Sequence, residues 1–101
     1  MSKSKVRSFC ARLIGMRYRE LPFGTRRDIE VALSELEARK CGESGSPAFE
    51  VNDEYFRIGR RKLRVCTEDE MFVSLWGSSS VVDQVYTRVM ESWEARRRSG
   101  V

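Results

Sequence analysis

The chain has 101 residues, of which 41% are hydrophobic and 34% are charged, so it suits one small domain and excludes a wholly disordered chain. It contains no histidine, which removes the commonest general base near neutral pH and the commonest metal ligand. Cys10, Cys41 and Cys66 are widely spaced, and the sequence predicts neither a membrane-spanning segment nor a signal peptide, since residues 1–7 are basic without an apolar stretch after them. The sequence therefore predicts a soluble protein of the cytoplasm or nucleus, without a cofactor or a metal.

The first third of the chain predicts a helical hairpin. Apolar residues recur at helical spacing, which predicts a basic amphipathic helix over Ser4–Arg17. Residues 21–24 interrupt this pattern, and Thr25 with Asp28 has the spacing of an acidic capping box that begins a second helix. Gly42 is placed to end that helix. The short connection predicts that the two helices pack antiparallel.

The remainder of the chain predicts strands followed by a helix. After a loop at residues 43–47, apolar and polar residues alternate, which predicts an antiparallel β-meander of three or four strands over residues 48–76. A serine-rich turn then precedes a helical pattern over residues 80–97. The predicted fold is α+β, in the order α-α-β-β-β-α, with the hairpin over residues 1–42 belonging to the same single domain.

Charge is segregated along the chain, with a net +7 over residues 1–27, −6 over residues 28–56 and +5 over residues 57–64. If folding brings the basic segments together, they form a surface that follows a phosphate backbone. Blocks of charge are also typical of solvated faces. Acidic pairs such as Asp53-Glu54 are candidate Mg²⁺ ligands, but they lie in predicted turns, where acids are common, so we predict no catalysis.

Within the meander, strand alternation places Arg57, Lys62 and Arg64 on the face opposite the core, together with Tyr55. A cationic sheet face with an aromatic residue is typical of nucleic-acid binding. Outward lysine and arginine side chains also protect edge strands from aggregation. Both interpretations stay open from the sequence.

Arg26 and Arg27 occupy the first turn of the predicted second helix, where the helix macrodipole disfavours positive charge. A local rule broken without visible compensation is typical of a functional residue. Arginine also binds phosphate oxygens through two parallel hydrogen bonds. A binding role and an ordinary surface role are both compatible with this position.

Residues 15–30 read Gly-Met-Arg-Tyr-Arg-Glu-Leu-Pro-Phe-Gly-Thr-Arg-Arg-Asp-Ile-Glu and resemble the interhelical segment of the nodavirus RNA-silencing suppressors, which bind double-stranded RNA. The resemblance implies an antiparallel helix pair that dimerises and lays basic side chains along an RNA duplex without reading its sequence. By position it makes Arg26 and Arg27 phosphate contacts, with Lys40 a further candidate. The C-terminal half, where Gly77–Ser80 precedes a helix, is similar to the tombusvirus suppressors, which hold small RNA duplexes on a sheet face of a dimer.

We predict a non-enzymatic homodimer that binds duplex RNA through arginine and lysine contacts to phosphates and suppresses RNA silencing in a host cell. Membranes and small-molecule substrates are not among the expected partners. The alternative is a homo-oligomeric interaction module whose helices and tryptophans form the interface, with no nucleic-acid role. The residues predicted to contact RNA are Arg17, Arg19, Arg26, Arg27, Lys40, Arg57, Arg60, Arg61, Lys62 and Arg64.

Overall fold

A computed structural model describes residues 16–46, 51–69 and 72–99. In chain order the elements are β1 (Arg17–Leu21), α1 (Arg26–Glu35), β2 (Arg39–Ser46), β3 (Val51–Ile58), β4 (Arg61–Glu68), β5 (Phe72–Gly77) and α2 (Ser79–Arg98). The strands form one antiparallel sheet in the order β1-β5-β4-β3-β2, so that β1 lies at one edge and β2 at the other. The short helix α1 connects these two edge strands, and the long helix α2 follows β5.

The helical hairpin predicted over residues 1–42 is wrong. Its first helix falls mostly on residues outside the described part of the chain, but Arg17, at the end of that predicted helix, is the first residue of β1. β1 pairs with β5 along its whole length. Because side chains alternate along a strand, Arg17, Arg19 and Leu21 share one face of the sheet. The helix pair implied by the nodavirus resemblance is absent from the described residues.

The second predicted helix corresponds to α1, but it ends at Glu35 instead of reaching Gly42. The next two residues form a turn, in which Glu37 has a φ of 55°, and the chain then enters β2. The loop predicted at residues 43–47 is also wrong for its described residues, which pair with β3. These residues are rich in glycine and serine and have a low intrinsic strand preference, so their extended conformation depends on the partner strand.

The sheet has five strands instead of the three or four predicted, because β1 and β2 join the strands that follow. Gly59 and Arg60 form the turn between β3 and β4, and Gly59 has a φ of 61°, a conformation that glycine adopts at little cost. The C-terminal helix begins at Ser79 and ends at Arg98, close to the predicted bounds. No helix of the described residues is long and apolar enough to cross a membrane.

Both helices pack on the same face of the sheet. Their apolar side chains meet those of β4 and β5, while β1 contributes Leu21. The outer side of the sheet carries the alternate residues of each strand, as the pairing register requires. Among the described residues, the buried hydrophobic core consists of Leu21, Ile29, Ala32, Leu33, Leu63, Val65, Val73, Leu75, Val81, Val82, Val85 and Val89.

Asp28 joins the two helices to each other. Its buried carboxylate accepts hydrogen bonds from Ser92 Oγ at 2.7 Å and from Arg96 Nε at 2.9 Å. Arg96 also donates to the carbonyl oxygen of Gly24 at 2.8 Å. The hydrogen bond from Arg96 lowers the pKa of Asp28 below its ordinary value. The predicted capping box of Thr25 with Asp28 is therefore wrong, since this carboxylate connects α1 to α2.

We expect Cys66 to resist alkylation by iodoacetamide at mildly alkaline pH, whereas Cys41 reacts. Both thiols are free, but Cys41 is exposed and Cys66 is buried. Burial, reinforced by the hydrogen bond to Asp53, raises the pKa of Cys66 to about 11, and only the thiolate form attacks the reagent. Mass spectrometry of the labelled peptides measures both rates. Equal rates at the two positions would contradict the buried environment of Cys66.

Candidate nucleic-acid interface

Five cationic residues meet at the end of the sheet where the β3–β4 turn lies. On the face opposite the helices, Arg57 stands between its register partners, Arg39 in β2 and Lys62 in β4. Neighbouring strands are about 5 Å apart, so these three side chains form a row of like charge. Arg60 in the turn and Arg61 at the start of β4 continue the positive charge around the end of the sheet. We call these five residues the hairpin cluster.

The hairpin cluster has no neutralising carboxylate within the described residues. All five residues are exposed, and none forms an ion pair in that part of the chain. Arg61 has a polar contact, donating from Nη1 to Ser80 Oγ at 2.6 Å at the start of α2. Like charges placed directly opposite each other on neighbouring strands destabilise a sheet. A bound anion would relieve this repulsion.

Four of the ten residues predicted to contact RNA belong to the hairpin cluster, and its fifth member, Arg39, was missed. The sequence pattern continued the second helix as far as Gly42, which assigned Arg39 to a helix. Only the pairing of β2 with β3 brings Arg39 beside Arg57. The basic run over residues 57–64 was the signal for the other four, which are Arg57, Arg60, Arg61 and Lys62.

Arg26 and Lys40 are held by Glu54 on the helix-covered side of the sheet. The distance from Arg26 Nη1 to Glu54 Oε1 is 2.6 Å, and that from Lys40 Nζ to Glu54 Oε2 is 3.3 Å. Glu54 is buried, and the hydrogen bond from Arg26 lowers the pKa of its carboxyl. Removing the partners of a buried carboxylate lowers the stability of the folded protein. Arg26 and Lys40 are therefore needed to neutralise Glu54 and are less available to bind a ligand.

Arg64 lies on the outer face beside the hairpin cluster, together with Tyr55, as strand alternation predicted. It is already engaged, because its guanidinium donates to both carboxylate oxygens of Asp53 at 3.0 and 3.1 Å. The same guanidinium lies 5.5 Å from the ring centroid of Trp76, whose other neighbour is Tyr18 at 4.5 Å. Trp76 of β5 therefore lies between Arg64 of β4 and Tyr18 of β1.

The middle of this face is closed to ligands. Tyr18, Cys66 and Ser74 lie there, and their exposed fractions are 6%, 4% and 3%. Tyr18 lies in the same row as Arg64 and Trp76, whereas Cys66 and Ser74 lie in the next row, farther from the β3–β4 turn. The exposed cations of this face are therefore at its hairpin end.

The remaining predicted contacts lie away from the hairpin cluster. Arg17 and Arg19 are on the helix-covered face at the β1 edge, where they approach Asp83 of α2 at 3.7 and 3.6 Å. Arg27 is exposed on α1 and lines a cleft of about 490 Å³ together with Arg97. The structure thus divides the predicted site into a hairpin cluster and separate arginines beside α2.

No protein-family model, curated protein or solved structure matches this chain. Within the described ranges, no group of three or more histidine, cysteine or acidic side chains is arranged to hold a metal ion. The chemistry available at the hairpin cluster is the binding of anionic oxygens by guanidinium and ammonium groups.

Proposed function

We propose that the protein binds RNA duplexes without reading their sequence, through contacts from the hairpin cluster to backbone phosphates. The observation that carries this proposal is the exposed row of Arg39, Arg57 and Lys62 on three neighbouring strands. None of these three side chains forms an ion pair with a carboxylate of the described residues. The row is about 10 Å long, and each of its three cations can bind phosphate oxygens of a duplex backbone. The row therefore offers up to three contacts with phosphates.

A duplex suits this surface better than a single strand does. Proteins that bind single strands stack the bases on open aromatic rings. Beside the hairpin cluster, Trp76 is flanked by Tyr18 and Arg64, whereas the exposed rings of Phe23 and Phe72 lie together at the other end of β5. The phosphates are therefore the groups that the hairpin cluster is best equipped to bind.

The choice of RNA and the role in silencing rest on the sequence resemblance of residues 15–30 to the nodavirus suppressors, whose helix pair the described residues of this chain do not form. Contacts confined to phosphates recognise backbone charge and duplex shape. A protein that covers an RNA duplex in this way withholds it from the enzymes that process it. The proposed activity is therefore suppression of RNA silencing by sequestration, which requires no catalysis by this chain.

Direct binding measurements test the proposal. An RNA duplex of about 20 base pairs, its separate strands and the DNA duplex of the same sequence are titrated with the full chain at low salt. We expect the RNA duplex to bind more tightly than either separate strand. Absence of binding to any of these at micromolar protein overturns nucleic-acid binding, and tighter binding of a single strand overturns the duplex preference.

Self-association is a second candidate activity, favoured by two exposed aromatic side chains. Phe23 is 62% exposed and Phe72 is 50% exposed, and their ring centroids are 5.2 Å apart. A contiguous exposed apolar patch is typical of an interaction site. The homodimer predicted from the sequence would remove these rings from water.

We expect replacement of Phe23 and Phe72 together by serine to shift a dimer towards monomer, because it removes the apolar surface that association buries. Sedimentation velocity over a range of protein concentrations measures the change. Val31→Ser is the matched control, since Val31 is also exposed but belongs to α1 and not to the aromatic pair. A wild-type protein that stays monomeric at the highest concentration contradicts this activity.

A further inference from the structure

We infer that the side of α2 next to β1 carries a second track for nucleic-acid phosphates, separate from the hairpin cluster. The inference rests on the proposed function, since it concerns the same kind of ligand. The track consists of Arg17, Arg19, Arg27 and Arg97, which we call the flank arginines. Arg17 and Arg19 belong to β1, Arg27 to α1 and Arg97 to α2, so only the fold brings them alongside one helix.

Two of the flank arginines lie over aromatic rings of α2. The Arg19 guanidinium is 4.9 Å from the ring centroid of Tyr86, and the Arg97 guanidinium is 4.5 Å from that of Trp93. Stacking uses the flat side of a guanidinium and leaves the N–H groups at its edge free to meet phosphate oxygens. It also restricts the side chain, which lowers the entropy lost when a ligand binds.

The two stacked arginines are spaced along one side of α2. Tyr86 and Trp93 are two helical turns apart, which corresponds to about 10 Å along the axis. A track of this length can contact more than one phosphate of a duplex strand. Arg17 and Arg19 share the single carboxylate of Asp83, so this end of the track keeps a net positive charge.

The other end of the track is a cleft of about 490 Å³ between the start of α1 and the end of α2. Arg27 and Arg97 line this cleft, and neither forms an ion pair within the described residues. Arg96 also lines it but is bound to Asp28. The cleft thus presents two guanidinium groups without a counter-charge.

Of the two arginines in the first turn of α1, Arg27 is the one whose positive charge is not balanced by a carboxylate of the described residues. Positive charge is unfavourable at the start of a helix. Arg26 is balanced by Glu54 and Glu30, whereas Arg27 has no such carboxylate in the described chain. A phosphate in the cleft would supply the missing negative charge.

The flank arginines and the row of the hairpin cluster lie on opposite faces of the sheet, so substitutions in one set do not disturb the side chains of the other. Arg19→Gln combined with Arg97→Gln in the full chain is expected to weaken duplex RNA binding about tenfold and to lower the slope of log Kd against log salt by about 2. Arg88→Gln combined with Arg98→Gln is the charge-matched control, because these arginines of α2 pair with Glu35 and Glu94. The control is expected to change the affinity less than about twofold.

Circular dichroism and thermal melting establish that each variant is folded. Arg27→Gln gives a second measurement, because Arg27 is exposed and forms no ion pair with another described residue. If Arg57→Gln with Lys62→Gln weakens binding while both flank variants match the control, the second track is wrong and the proposed function stands. If the wild type binds no RNA at low salt, both proposals fail. Phosphatidylcholine vesicles with and without phosphatidylserine form a further arm, and flank variants that lose vesicle binding but keep RNA binding overturn the track.

Discussion

Replacing Arg57 and Lys62 together by glutamine should lower the affinity for duplex RNA about tenfold and reduce the slope of log Kd against log salt by about 2. Both side chains are exposed members of the hairpin cluster and face each other across β3 and β4. Neither forms an ion pair within the described residues, so the substitution removes phosphate contacts without leaving a buried partner. Fluorescence anisotropy with a labelled duplex over a range of salt concentrations measures both quantities.

The charge-matched control for this experiment is again Arg88→Gln with Arg98→Gln, which removes two positive charges from exposed ion pairs. Arg26→Gln gives a more stringent comparison, because Arg26 was among the residues predicted to contact RNA but is bound to buried Glu54. We expect Arg26→Gln to weaken folding more than binding. A variant of Arg57 and Lys62 that binds like the control contradicts a role for the hairpin cluster.

Asp28→Ala should lower the free energy of unfolding by about 2 kcal/mol. The buried carboxylate joins α1 to Ser92 and Arg96 of α2, so its loss leaves both of those groups without their partner. The effect lies below the upper range for a broken buried pair because solvent reaches Arg96 and screens its charge. Urea denaturation measures the change, and Glu30→Gln, which affects one exposed ion pair, is the control.

The same carboxylate contributes a pH dependence. Its pKa in the folded protein is below the ordinary value of 3.8, chiefly because Arg96 donates a hydrogen bond to it. A depressed pKa adds stability that is present above the ordinary value and is lost as the pH falls through the folded-state pKa. We expect the wild type to lose stability more steeply than Asp28→Asn below about pH 4. Parallel curves for the two proteins contradict this role.

The strands near the middle of the chain and the last helix follow from local patterns. In β3 and β4 apolar residues alternate with polar ones, and this period of two predicted both the strands and the outward face of Arg57, Lys62 and Arg64. In α2 the period near 3.6 predicted a helix that faces the core with Val82, Val85 and Val89. In both cases one face of the element is buried, so apolar residues recur at the spacing of that element and the sequence shows the period.

The edge strands could not be predicted in this way. β1 is only five residues long and pairs with β5, which is more than fifty residues away in the chain. β2 contains glycine, serine and glutamate, which favour neither a strand nor a buried face. Their conformation comes from pairing with a neighbour that is already in place, and a local pattern carries no information about that neighbour.

The sequence predicted the positive charge of the candidate site, but it did not predict which cations form ion pairs or which strands lie side by side. The basic run over residues 57–64 indicated a cationic hairpin. Which cations remain free depends on distant partners, because Glu54 holds Arg26 across 28 residues and Asp28 holds Arg96 across 68. Arg39 joins the site only through the register of β2. Such contacts arise from the assembled fold and not from spacing along the chain.

The salt dependence of duplex RNA binding by the wild-type chain tests the central claim most directly. Each phosphate neutralised by the protein releases counterions and contributes roughly 0.9 to the slope of log Kd against log salt. If the five cations of the hairpin cluster bind the backbone, the slope between about 50 and 200 mM salt is at least about 4. A slope near zero, or no binding at the lowest salt, contradicts recognition of RNA through phosphate contacts.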